Sequence, residues 1–266
     1  MLRQGDGEPL VLLHGIFQAD RVWRRVIPPL AARYDVIAPM GFGHGGRVPD
    51  KRPTTFGDWV DDSEQILDEL GLDKPHLAGN SSGGWVALEL ARRGRAKTVC
   101  AFSPAGAWDR DWDDMVRIRD ALRTAMRDTR RSRRLLSLLG YSGRFRRWAM
   151  DDVAVHGDRL SRADFVDSAD NTLGCSVLED AIEDTAELEL LDPPPCPITL
   201  AWSQQDRIFP IGVYGARAKE MIPGARFIVL DDVGHVPMFD DPQLVADTII
   251  AATEAAASEE QTPPFA

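Results

Sequence analysis

A doubly wound α/β fold, a parallel sheet with helices on both faces, is what this sequence predicts, and three observations carry it. Six short apolar runs, near residues 10–14, 35–39, 74–79, 97–102, 197–202 and 226–230, read as strands. Segments of helical periodicity separate them, and strands that alternate with helices pair in parallel through crossover connections. At 266 residues, 44% of them hydrophobic, the chain can bury a full core.

Taken in order, the first run ends at His14-Gly15, a strand that passes at once into a tight turn. A helix is expected over 20–32, then the strand at 35–39 and a glycine-rich loop, Gly41-Phe42-Gly43-His44-Gly45-Gly46. That loop lacks the Lys-Ser/Thr of a phosphate-binding loop and the G-x-G-x-x-G spacing ahead of a helix, so it does not read as a nucleotide cradle. A helix over 56–70 leads to the third strand, Pro75-His76-Leu77-Ala78, which empties into Gly79-Asn80-Ser81-Ser82-Gly83 ahead of a helix over 84–93. Between about Trp108 and Leu191 the alternation stops and several helices are expected, with Met115, Ile118, Leu122 and Met126, then Leu135, Leu136, Leu138 and Leu139, at helical spacing. Pro193-Pro194-Pro195 stiffens the return to the sheet. The strand at 197–202, a helix over 211–221, the strand at 226–230 and a helix over 242–257 complete the pattern, and the tail after Ser258 reads as frayed.

The chemistry concentrates at three turns. A strand-to-helix turn as tight as Gly79 to Gly83 leaves no room for flanking side chains, so glycines fit there and Ser81 projects from the apex. The helix that follows points its free N–H groups at the same spot, where they favour an oxyanion. A serine hydroxyl is a weak nucleophile at neutral pH and needs a base and a group to orient that base. The turn Ser203-Gln204-Gln205-Asp206-Arg207-Ile208-Phe209-Pro210 carries an acid, and Asp231-Asp232-Val233-Gly234-His235-Val236-Pro237 carries a histidine. Each follows the C-terminal end of a strand, and in a parallel sheet those ends share one edge. Asp206 is the preferred acid, with Asp109, Asp231 and Asp232 as rivals. Among the histidines His14, His44, His76 and His156 are weaker base candidates than His235.

Four motifs in this order, the HG turn at His14-Gly15, the G-x-S-x-G elbow, the Ser203 to Pro210 turn and the G-H-x-P-x-x-x-D-P segment from Gly234 to Pro242, resemble the α/β-hydrolase superfamily over nearly the whole chain. The resemblance implies that Ser81 is the nucleophile, His235 the general base and acid, and Asp206 the carboxylate that orients the imidazole. It places the oxyanion hole at the backbone N–H groups of Ile16 and Ser82. It makes residues 108–191 a helical cap over the catalytic edge, with residues 1–107 and 192–257 as the core and 258–266 as a flexible tail. Superfamily members that are haloalkane dehalogenases and epoxide hydrolases use aspartate at the elbow, so Ser81 favours ester or lactone hydrolysis. A carbon–carbon hydrolase of the meta-cleavage type, whose elbow resembles Gly79 to Gly84, an acyl thioesterase and a non-catalytic ligand receptor are the alternatives. The triad and backbone donors supply every role, so no cofactor and no metal is implied.

Net charge is −11, yet Arg117, Arg119, Arg123, Arg127, Arg130, Arg131, Arg133, Arg134, Arg144, Arg146 and Arg147 crowd the first half of the cap. A solvated helix face is the preferred reading, and an anionic substrate handle such as coenzyme A the alternative. No apolar run has the length of a membrane span, and no leader pattern opens the chain. The expectation is a cytoplasmic protein acting on a small molecule, without nucleic-acid or membrane partners, as a monomer or homodimer. Cys100, Cys175 and Cys196 lack metal-ligand spacing and read as reduced thiols. With nine residues ahead of the first run, the sheet is expected to be six-stranded and wholly parallel, the family's usual first two strands missing. The strand at 35–39 would then be its edge, covered by the loop at 40–55 or by a second copy.

Overall fold

The computed structural model describes residues 1–49, 52–108, 112–184 and 187–260. Seven strands among them form one sheet: β1 (Leu2–Gln4), β2 (Glu8–Leu13), β3 (Tyr34–Ala38), β4 (His76–Asn80), β5 (Thr98–Phe102), β6 (Ile198–Ser203) and β7 (Arg226–Leu230). Their order is β1-β3-β2-β4-β5-β6-β7. From β3 to β7 every pair is parallel, so the C-terminal ends of β2, β4, β6 and β7 lie on one edge.

The helices are α1 (Ile27–Leu30), α2 (Phe56–Glu69), α3 (Ser82–Arg92), α4 (Trp112–Leu139), α5 (Gly143–Ala149), α6 (Arg162–Gly174), α7 (Leu178–Glu183), α8 (Ala216–Met221), α9 (Pro237–Asp240) and α10 (Pro242–Glu260). Thr55 opens α2 with a capping box, its hydroxyl accepting from the Asp58 N–H while the Asp58 carboxylate accepts from the Thr55 N–H. One layer of core packs α2 and α3 with Trp59, Val86, Leu88 and Trp202, and the other packs α1 and α10 with Leu10, Val36, Phe102 and Ile249. β3, β4, β5 and β6 are buried on both faces, which explains why they read as near-continuous apolar runs. No helix among the described residues is long and apolar enough to cross a membrane.

Two expectations are corrected. The sheet has a seventh strand formed before Leu10, and β1 pairs antiparallel with β3, Arg3 opposite Ile37. So β3 is not the edge, and neither the loop at 40–55 nor a second copy is what lines it. Nine residues suffice because the chain slides hard under the start of β3: a Cβ on Gly5, at φ +96°, would strike Tyr34 O, and one on Gly7 would strike Arg33 O. Arg3 then fixes the register with a bidentate pair to Asp35, 2.9 Å and 2.6 Å. The helix expected over 20–32 is broken as well, into a 3₁₀ turn at Asp20–Trp23 and α1. Pro28 and Pro29 lack N–H groups and sit at the start of α1, where none is needed.

Between β5 and β6 the chain leaves the sheet and forms α4 to α7. This insertion packs on the edge of the sheet formed by the strands' C-terminal ends: Met126, Val177, Leu178 and Ile182 form a cluster with Ile16, Phe17 and Phe42. The Ser176 N–H donates to Gly43 O at 2.9 Å, and the Val236 N–H to Val153 O at 2.9 Å. Ile118 and Met126 are buried, whereas Leu135 and Leu138 near the end of α4 are 52% and 67% exposed, so the apolar stripe does not run the full helix.

Candidate active site

Ser81 stands between β4 and α3 with φ 55° and ψ −123°, a conformation that costs a non-glycine residue roughly 1–3 kcal/mol. Its neighbours hold it there. The Ser81 N–H donates to Phe102 O at 3.0 Å, and Ser81 O accepts from the Trp85 and Ala105 N–H groups at 3.1 Å and 3.0 Å. A Cβ on Gly79 would strike Gly83 O, and one on Gly83 would strike the Leu13 and His14 carbonyls, so both elbow glycines are sterically required. A Cβ on Gly15 would come within 3.1 Å of the Ser81 Cβ, which shows how closely the turn after β2 approaches the serine.

The sequence placed an acid and a histidine on the same edge, and the structure joins them. His235 Nδ1 donates to Asp206 Oδ2 at 2.8 Å. The other oxygen, Oδ1, accepts from the Ile208 and Phe209 N–H groups at 2.9 Å and 2.7 Å. Three donors on one buried carboxylate fix its plane, and with it the imidazole. Phe209 stands edge-on to the His235 ring, centroids 5.0 Å apart, and its own carbonyl is held by the Trp202 indole N–H at 2.9 Å. Ser81, Asp206 and His235 are each within 6% of full burial.

The rival residues are engaged elsewhere. Asp232, exposed, pairs with His156 Nε2 at 2.7 Å. Asp231 is exposed and Asp109 lies outside the described residues. His76 is held by Thr98 and Glu8. His14 Nδ1 donates to Gly15 O at 2.9 Å while Nε2 accepts from the Gly41 N–H at 2.8 Å, which defines a neutral imidazole. Burial pushes its pKa down to about 4. His44, packed edge-on against His14, is pushed down to about 3, by burial first and then by its neighbour's charge.

Three positioning groups escaped the sequence reading. Asn80 donates its amide N–H groups to Phe102 O at 3.2 Å and His235 O at 2.9 Å. Its carbonyl accepts from Gln18 Nε2 at 2.9 Å, and Gln18 Oε1 accepts from the Gly15 N–H at 3.0 Å. One buried amide network thus spans the turn after β2, the elbow and the histidine loop. Asp240, buried, accepts from the Gly234, Val155 and His156 N–H groups at 2.8 Å, 3.1 Å and 2.6 Å, tying the histidine loop to the insertion. Asp240 falls on a variable position of the G-H-x-P-x-x-x-D-P segment, whose aspartate is Asp241, so like Asn80 and Gln18 it carried no signal of its own.

The two expected oxyanion donors stand in different surroundings. The Ile16 N–H donates to Ser82 Oγ at 2.7 Å, so this amide is already occupied by a side chain. The Ser82 N–H opens α3, among the first N–H groups of a helix that have no acceptor within it. No group of three or more His, Cys, Asp or Glu among the described residues is placed to hold a metal ion.

A model of the alpha/beta hydrolase family matches residues 10–248. The chain belongs to the alpha/beta hydrolase family. Among curated proteins it is 32% identical over 200 residues to an epoxide hydrolase of Mycobacterium tuberculosis, covering 73% of this chain and 93% of that one. It is 42% identical over 94 residues to a 2-hydroxymuconate semialdehyde hydrolase of a Pseudomonas species, about a third of either protein (34% and 33%). Among solved structures a thermophilic esterase from Thermogutta terrifontis superimposes with a TM-score of 0.72 at 22% identity, over 96% of this chain and 92% of that one. At that identity the likeness concerns the fold.

Proposed function

We propose that this family member is a serine hydrolase that cleaves a carboxylic ester or lactone through an acyl-enzyme at Ser81. The observation that carries the reading is the buried His235–Asp206 pair at 2.8 Å, whose histidine carbonyl is bonded to Asn80, the residue next to the serine. Asp206 holds the proton on Nδ1, which leaves Nε2 as the lone pair that takes the Ser81 proton. Attack on the carbonyl gives a tetrahedral oxyanion, stabilised by donors at the start of α3. His235 then gives its proton to the leaving alkoxide, and water, activated by the same imidazole, releases the acid. With a lactone the alcohol stays tethered to the acyl group and leaves with it.

The epoxide hydrolase relative does not transfer its activity. A serine that opened an epoxide would be left as an ether, which water does not cleave, whereas an ester at Ser81 is hydrolysed by the chemistry above. Carbon–carbon cleavage is the second reading, favoured by the match to the semialdehyde hydrolase. In either reading residues 108–191 act as the cap that walls the pocket and excludes water. A panel of p-nitrophenyl esters, lactones, an acyl-coenzyme A and a meta-cleavage diketone, ranked by kcat/KM, tests the assignment. Sustained turnover of esters or lactones above the others supports it. No turnover of any member, with no labelling by a fluorophosphonate, overturns it.

A further inference from the structure

Ser82 has a hydroxyl with no assignment so far, and its position is unusual. It is buried, 1% exposed, at the first position of α3 and directly beside Ser81. Its oxygen accepts the Ile16 N–H at 2.7 Å, the amide that the resemblance to the family assigns to the oxyanion. A backbone N–H has one proton, and Ser82 Oγ lies where that proton points. The Ser82 hydroxyl proton itself has no acceptor among the described residues, because Oγ takes part in no other hydrogen bond there.

A buried donor without a partner is costly, and a hydroxyl that accepts a short hydrogen bond becomes a stronger donor through it. We propose that the Ser82 hydroxyl is a catalytic residue: it replaces the Ile16 amide as the direct donor to the oxyanion, with Ile16 N–H holding and polarising Oγ from behind. Ser82 then supplies two donors to the developing charge, its own N–H and its O–H. No proton changes owner in this step; the hydroxyl proton stays on Oγ and is drawn toward the substrate oxygen as charge accumulates. The preference this gives is for substrates whose carbonyl oxygen becomes an oxyanion. The carbonyl of the resting ester gains less, so the effect falls on kcat more than on KM.

The inference rests on the serine hydrolase reading, and the test separates the two. Wild type, Ser82→Ala and Ser82→Cys are assayed with p-nitrophenyl butyrate, and the inhibition constant of a trifluoromethyl ketone, whose adduct with a serine carries an oxyanion, is measured for each. Cysteine keeps the shape and is a weak donor, so it guards against a packing effect. Ser82→Ala is expected to lose on the order of 10²–10³ in kcat, with KM within about threefold and ketone binding weakened by the same factor as kcat. Ser82→Cys is expected to fall nearly as far. Wild-type kcat or better in either variant shows that the Ile16 amide serves directly and overturns the proposal. A loss confined to KM overturns it too. A wild-type protein that neither turns over esters nor reacts with a fluorophosphonate fails at the underlying reading instead.

Discussion

Replacing Asp206 separates the catalytic role proposed for it from its structural one, because its two oxygens have different partners. Oδ2 takes the His235 Nδ1–H, and Oδ1 takes two backbone N–H groups, from Ile208 and Phe209. In Asp206→Asn the amide oxygen can keep both backbone donors while the NH₂ faces Nδ1. That forces the imidazole proton onto Nε2, the atom that should accept from Ser81. A wrong tautomer of this kind costs on the order of 10⁴ in kcat, about 5.5 kcal/mol at 1.36 kcal/mol per decade. Folding stability should change little. Asp206→Ala removes the acceptor of both amides, each worth about 1–3 kcal/mol when left buried and unpaired, so about 2–6 kcal/mol of stability goes as well. The assays are p-nitrophenyl butyrate kinetics and urea unfolding followed by circular dichroism. Asp232→Asn is the control, since Asp232 pairs with His156 on the surface, and its kcat should stay within a few-fold of wild type. More than a tenth of wild-type kcat in Asp206→Asn, or a crippled Asp232→Asn, refutes the assignment of the acid.

Ser81→Ala is expected to lower kcat by about 10⁶ with an unchanged circular dichroism spectrum, and a fluorophosphonate should add to wild type once and to the variant not at all by mass spectrometry. Gly83→Ala drives a methyl into the Leu13 and His14 carbonyls, where backbone must move, so it should destabilise the fold by about 1–3 kcal/mol at least, read from urea unfolding. The buried histidines set an acid limit. Their folded pKa values, about 4 for His14 and about 3 for His44, lie below the ordinary 6.5, so the unfolded chain binds the extra protons as pH falls. Their contribution is therefore complete above pH 6.5 and is lost from there down to about pH 4 for His14 and about pH 3 for His44, each steepening the loss by up to about 1.4 kcal/mol per pH unit. His44→Asn should flatten the stability profile in that window, and an unaltered slope contradicts the account.

The parallel part of the fold was legible because most of its strands are short apolar runs bounded by turn residues, as Leu10 to Leu13 is by His14-Gly15, Val36 to Ala38 by Pro39 and Phe227 to Leu230 by Asp231-Asp232. That is also why Ser81, Asp206 and His235 could be placed: each sits one turn past such an end, and the edge they share follows from parallel pairing. β1 was not legible. Leu2-Arg3-Gln4 has no period to read, and what makes it a strand is remote, the Asp35 carboxylate and two glycines that clear Arg33 and Tyr34. The break in the helix expected over 20–32 has a visible cause in Pro28-Pro29, which have no N–H to donate back to residues 24 and 25. Asn80 shows the deeper limit. In sequence it is the variable position of the elbow, and its worth comes from bonds to Gln18, Phe102 and His235, which only the folded chain brings within reach.

The arginines of the insertion divide in a way that bears on its charge. Arg123 pairs with Glu179 and Glu183 across to α7, and Arg133 takes Asp170 of α6 at 2.5 Å and 2.7 Å. Arg119 faces Glu183, Arg117 reaches Tyr214 of the core, and Arg146 closes the turn between α4 and α5 on the Gly140 and Tyr141 carbonyls. These are struts between segments, each worth little alone because most are exposed, but together they set how α4 lies on α6 and α7. Arg130, Arg131, Arg134 and Arg144 have no ion-pair partner among the described residues and face solvent. On α4 the contact with Ile16 and Phe42 runs through Leu122 and Met126. Arg130 and Arg134 lie four and eight residues further along, about 6 Å and 12 Å at the rise of an α-helix, the latter on the stretch that carries the exposed Leu135 and Leu138. The free positive charge therefore begins about one turn beyond the apolar contacts with Ile16 and Phe42, so a charged handle bound there would have to span more than that distance to reach Ser81.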